Sequence, residues 1–142
     1  MTFSRPLQLR WSDMDPNFHL RHSVYYDFGA TLRTEFLVAH GVTPQIMLKE
    51  HFGPVLFREE AIFKKEIRIG DSIIMDVKAS YLSKDHSRFG MQHQILRGEE
   101  LCAIINVEGA FIDTIKRKLT ALPQIAIEMV EAMPKTEDFK WT

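Results

Sequence analysis

An α+β domain, with an antiparallel sheet wrapped around one long helix, is predicted by three features of this sequence. A single segment, from about Ser23 to His40, carries a helical apolar stripe. The second half of the chain is a series of alternating segments separated by short turns, which makes neighbouring strands antiparallel. The 142 residues suit a single core. One helix cannot cover both faces of such a sheet, so the simplest packing curls the sheet around it.

The elements follow in order. Leu7, Leu9 and Trp11 alternate with Gln8 and Arg10, the period of a half-buried strand. A polar loop containing Asp13 and Asp15 comes next. In the long helix Val24, Phe28, Leu32 and Phe36 recur every four residues, with Tyr25 and Leu37 widening the stripe. Gly29 costs that helix roughly 1 kcal/mol relative to alanine, which implies a close approach to the sheet. Gly41 is a stop signal. Thr43-Pro44 reads as an N-cap and first helical residue, opening a short helix to about Phe52, and Gly53-Pro54 ends it.

Strands are then predicted at Val55 to Glu66, Ser72 to Leu82, Phe89 to Ile95 and Leu101 to Ile112. The turns between them are Arg68-Ile69-Gly70-Asp71, Lys84-Asp85-His86-Ser87 and Arg97-Gly98-Glu99-Glu100. Asp113 to Lys118 reads as a polar connection. Ile125, Met129 and Met133 mark a short helix between Pro123 and Pro134, and residues 134–142 read as a polar tail. The whole chain, 1–142, is read as one domain. Phe57, Phe63, Met75, Met91 and Phe111 fit a pocket lining or a core equally well.

Composition narrows the function. With 45% hydrophobic and 26% charged residues the chain reads as soluble and globular. A net charge of −1 argues against broad nucleic-acid binding but leaves room for a local basic patch. The single cysteine, Cys102, lies in an apolar run and reads as a buried small residue. No signal-like segment or membrane-length apolar run is present, so a cytoplasmic protein with no membrane partner is expected.

Residues 10–25 carry the chemistry. A strand ends in two acids, and a helix begins soon after, so a carboxylate stands near free helix-start amides able to polarise a carbonyl. Asp15 precedes Pro16 and is either a turn stabiliser or a catalytic acid. Asp13 reads as loop-ordering. Nothing near the Asp pair completes a metal ligand set, and the His19/His22 spacing lacks the further ligands that zinc needs.

The Asp13-x-Asp15 loop leading into His19, small polar residues and Tyr25 resembles the active-site segment of the 4-hydroxybenzoyl-CoA thioesterase family of hotdog-fold enzymes. The resemblance runs from about Arg5 to Pro123. It implies a hotdog fold and hydrolysis of an acyl-CoA or acyl-carrier-protein thioester to a carboxylic acid and free thiol. No cofactor is implied beyond coenzyme A as part of the substrate. It further implies a homodimer or homotetramer with the site between subunits, in line with the hazard of a long exposed sheet edge.

By the same resemblance Asp15 is the catalytic carboxylate, and the backbone amide of His22, seven residues on, holds the carbonyl. His19 orders the loop or contacts substrate, and Tyr25 matches the motif. Lys84, His86 and Arg88, and likewise Lys116, Arg117 and Lys118, stand where relatives carry basic ligand contacts. Phe18 departs from the family's frequent glycine, as Arg21 and His22 depart from two asparagines. Phe18 is therefore expected to alter the loop and fill part of an acyl pocket. Two other readings remain: a non-catalytic acyl-thioester-binding domain, and an enoyl hydratase or dehydratase. The second fits poorly, because hotdog hydratases place Asp and His five apart, whereas His19 follows Asp13 by six and Asp15 by four.

Overall fold

Leu32 and Phe36 anchor the interior from the long helix α1, Val24–Ala39, together with buried Val24, Tyr25 and Leu37. The computed structural model describes residues 2–142. The glycine in this helix answers a packing need: a Cβ on Gly29 would stand 3.2 Å from the His93 ring and 3.1 Å from the Arg33 guanidinium. Gly41 follows with a left-handed φ of 81°. Helix α2, Pro44–Glu50, starts as expected, with the Thr43 hydroxyl accepting from the Ile46 amide at 3.2 Å. It closes on His51 in the left-handed region, so Phe52 already belongs to the next strand.

The sheet holds β1 (Ser4–Leu7), β2 (Phe52–Phe63), β3 (Ile73–Asp76), β4 (Lys78–Leu82), β5 (Arg88–Arg97), β6 (Glu100–Asp113), β7 (Lys118–Leu119) and β8 (Lys135–Trp141). β6 lies between β2 and β5, and β3 and β4 both run along the far side of β5. The single strand expected over Ser72 to Leu82 is broken at Val77, whose amide donates to the Phe3 carbonyl instead. Helix α3, Gln124–Ala132, forms where the apolar spacing predicted it and buries Ala126, Met129 and Val130. Phe36, Phe89, Phe111, Met75, Ile95 and Ile105 are fully buried, each contributing roughly 1.5–3 kcal/mol. Cys102 is buried as expected.

Two expectations are corrected. Trp11 does not extend β1; it opens a single 3-10 turn, Trp11–Asp13, and is 83% exposed. Residues 135–141 are not a loose tail but strand β8, laid parallel on β4. Main-chain bonds tie its end down: Thr142 donates to Leu82 at 2.9 Å, and Lys84 donates to Thr142 at 2.9 Å. Its polarity hid it, because main-chain pairing leaves no hydrophobic period. Among the described residues no helix is long and apolar enough to cross a membrane.

Candidate active site

The acid-bearing loop is built by backbone bonding. Asp13 is buried, and its carboxylate takes the Arg10 amide at 3.0 Å and the Arg10 guanidinium at 2.9 Å. The Arg10 bonds, working against burial, lower the Asp13 pKa. Its carbonyl receives the Arg21 amide at 2.8 Å. Asp13 is thus the loop's anchor, as its sequence context suggested.

Asp15 is half-buried. Its Oδ1 accepts from the amides of Asn17 at 2.8 Å and His19 at 3.1 Å, while its own amide donates to the His19 carbonyl at 2.8 Å. The two amide bonds hold one carboxylate oxygen and leave Oδ2 without a protein partner among the described residues. Leu20 donates to Ile67 at 2.7 Å, which seats the loop on the connection after β2.

The helix start beside it is left open. Ser23 occupies the N-cap position, yet its hydroxyl accepts from Arg21 Nε at 3.1 Å and caps nothing. Among the described residues the amide of His22 has no hydrogen-bond acceptor. Such unsatisfied amides at a helix start are the natural partners of a polarised oxygen. His22 itself lies in the turn two residues ahead of α1, not within its first turn.

Asp15, His19, His22 and Tyr25 meet in one open cleft of about 350 Å³, closed on its far wall by Phe63 to Ile67. Tyr25 is buried against Phe63, edge to face at 5.0 Å, and burial pushes its hydroxyl up to about 12, so it stays a neutral donor. His19 Nε2 is 3.1 Å from Glu66 Oε2, which fixes the ring against the wall. Lys64 and Lys65 line the mouth. Their placement beside Asp15 comes from the turn after β2, where both amides donate to the Cys102 carbonyl at 2.8 and 3.0 Å. Among the described residues no group of three or more His, Cys, Asp or Glu side chains could hold a metal ion.

Other candidates fall elsewhere. Phe18 is 73% exposed and lies outside the cleft, so within this chain it fills no acyl pocket. Nor does it forgo the glycine-like backbone: it takes a φ of 63°, the left-handed conformation, at a strain of roughly 1–2 kcal/mol. Lys84, Arg88, Arg117 and Lys118 are all exposed. Arg88 sits opposite Ala110 of β6, whereas Phe63 sits opposite Ala103. Seven residues of strand separate them, about 23 Å. A single chain therefore does not bring these cations to Asp15.

An acid held beside an uncapped helix start, on a sheet curled around that helix, is an arrangement able to activate water next to a polarised carbonyl. Residues 9–132 match the model of the Thioesterase-like superfamily, and the chain belongs to that superfamily. No curated protein sequence matches it significantly. Among similar solved structures is a 1,4-dihydroxy-2-naphthoyl-CoA thioesterase from Synechocystis, at 18% identity and TM-score 0.81, covering 93% of this chain and 97% of that one. A Staphylococcus aureus protein in complex with CoA has 15% identity and TM-score 0.85, covering 96% and 88%. A probable thioesterase from Bartonella henselae has 24% identity and TM-score 0.76, covering 87% and 100%. At these identities the likeness establishes the fold, which is the expected hotdog fold.

Proposed function

We propose that this protein hydrolyses an acyl-CoA thioester, using Asp15 as its carboxylate. The observation that carries the reading is the free Oδ2 of Asp15 in the same cleft as the unbonded His22 amide. The carboxylate takes a proton from water as the water oxygen adds to the thioester carbon. The His22 amide supports the negative charge that develops on the carbonyl oxygen, a contribution worth about 10²–10³ in rate where one such donor has been removed. The carbon–sulfur bond then breaks, the thiolate takes the proton, and the acid leaves. Direct attack by Asp15, through an anhydride that water opens, uses the same placement. Tyr25 donates from the cleft wall, and His19, held by Glu66, shapes the loop side.

The site is read as completed by a second copy. Among the described residues β2 pairs only with β6 and its other edge is free, with Leu56, Phe57, Ile62 and Phe63 exposed along it. Antiparallel pairing of two such edges would carry the basic end of one copy, with Lys84, Arg88, Arg117 and Lys118, toward the Asp15 cleft of the other. Those cations, with Lys64 and Lys65, suit the phosphates of coenzyme A. The superfamily, the two thioesterase-named structures and the CoA complex support this reading.

Thiol release measured over short, long and aromatic acyl-CoAs, and over one acyl-carrier-protein thioester, tests the proposal. Turnover that Asp15→Asn abolishes is the expected result. Binding of acyl-CoA with no thiol release from any of them would replace the enzyme by an acyl-thioester-binding domain.

A further inference from the structure

A second cleft, of about 160 Å³, opens farther along α1. Its walls are mostly carbon, with Leu37, Leu56, Met91, Phe111 and Met133 among them and Thr34 beside Arg33. Arg33 is the one charged residue among the described lining residues, and its side chain is only 13% exposed. Arg33 Nη1 lies 2.9 Å from His93 Nε2, and Nη2 lies 3.8 Å from Glu59 Oε2, beyond hydrogen-bond reach. Among the described residues no other group meets its remaining N–H donors.

The histidine beneath it cannot neutralise the cation. His93 is fully buried, and its Nδ1 lies 2.9 Å from the Asp76 carbonyl, an acceptor only. Nδ1 therefore carries the proton and Nε2 accepts from Arg33, which makes the imidazole neutral. Gly29 has no side chain to block this stacking. The result is a guanidinium positioned by a buried neutral partner, poorly hydrated, with spare donors at an apolar cavity. A planar carboxylate matches that fork with two parallel bonds, which a single lysine or a water would not reproduce.

We propose that this cleft receives the far end of an acyl chain that terminates in a carboxylate, so that the preferred substrates are thioesters of dicarboxylic acids. The inference rests on the thioesterase reading for the other end of the chain. Arg33 is eight residues along α1 from Tyr25, about 12 Å of helix, so the matching chain length is read from the experiment. Glu59 competes for the guanidinium from the strand side and turns to solvent when the ligand binds.

The test uses matched pairs of acyl-CoAs, ω-carboxylated and plain, from four to twelve carbons, with thiol release as the readout. Wild type should favour the carboxylated member at least tenfold in kcat/KM at one or more lengths. Arg33→Met should bring that ratio to about one, and Glu59→Gln should enlarge it. A plain-chain preference at every length, or a carboxylate preference that survives Arg33→Met, overturns the inference. Calorimetric titration of wild type with the free dicarboxylates and monocarboxylates separates it from the enzyme reading. If no thioester is cleaved, dicarboxylate binding that Arg33→Met weakens tenfold still supports the pocket, and absence of dicarboxylate binding refutes it. Should Arg33→Met fail to fold, the wild-type ratio and the Glu59→Gln shift decide the matter.

Discussion

The start and the middle of α1 hold charge in opposite ways. At its start Asp15 is held by the amides of Asn17 and His19, partners two and four residues away, in a cleft open to water. Two and a half turns on, Arg33 is held by His93, sixty residues away, in a largely apolar cleft. The first arrangement is local and exposed, so the loop sets the carboxylate almost independently of the core. The second is a core arrangement: its cation, its neutral histidine and its side-chain-free helix face stand or fall together. A charge that reacts with water profits from the first setting, and a charge that selects a ligand from the second.

The contrast can be broken at either place. The largest effect is expected for Asp15→Asn, which keeps the amide-accepting oxygen and so the loop, yet should lower thiol release by about 10²-fold or more. An unchanged circular dichroism spectrum with normal turnover would remove Asp15 from the chemistry. The buried place should instead respond to pH. Burial first, then the Arg33 charge, holds His93 down to about 4 from 6.5. The unfolded chain thus binds a proton that the folded one refuses, and stability should fall as pH drops from about 6.5 to 4, by up to about 3 kcal/mol. His93→Gln, which can still bond Asp76 and Arg33, should flatten that window in urea unfolding curves; an identical slope would mean that other groups set it.

Gly29→Val tests the shared space directly. Its added carbons meet both the His93 ring and the guanidinium, and overpacking of this kind should cost about 2 kcal/mol. A melting temperature equal to wild type would show that the stack gives way freely. The smallest effect is expected in the Asp15 loop, where Phe18→Gly relieves the left-handed strain and should stabilise by up to about 1 kcal/mol. Destabilisation there would mean that the exposed ring has a partner, such as a second copy.

Legibility followed the same divide. The acidic loop, the start of the long helix and the succession of elements rest on spacings within about twenty residues, which is why the carboxylate candidate and an antiparallel sheet wrapped around one helix could be written from residue patterns. Gly29 signalled a close approach but not to what. Arg33 stood in the helix one place after core Leu32 and drew no functional reading, because nothing local marks a cation whose partner lies on a distant strand. Nothing local marks Lys64 and Lys65 either, since the turn that carries them to Asp15 closes on the Cys102 carbonyl. Strand β8 was missed because main-chain pairing carries no side-chain period.

What the sequence alone determined is most of the elements, the antiparallel wrap of the sheet around α1 and the acid before that helix, since hydrophobic period, turn residues and local amide bonding act between near neighbours. Only the tertiary structure decided that His93 lies under Arg33, that Arg88 stands about 23 Å of strand from the Phe63 wall of the Asp15 cleft in one chain, and that the last residues join the sheet. Those outcomes depend on strand register, which brings distant residues together through the main chain and the packing of the whole core.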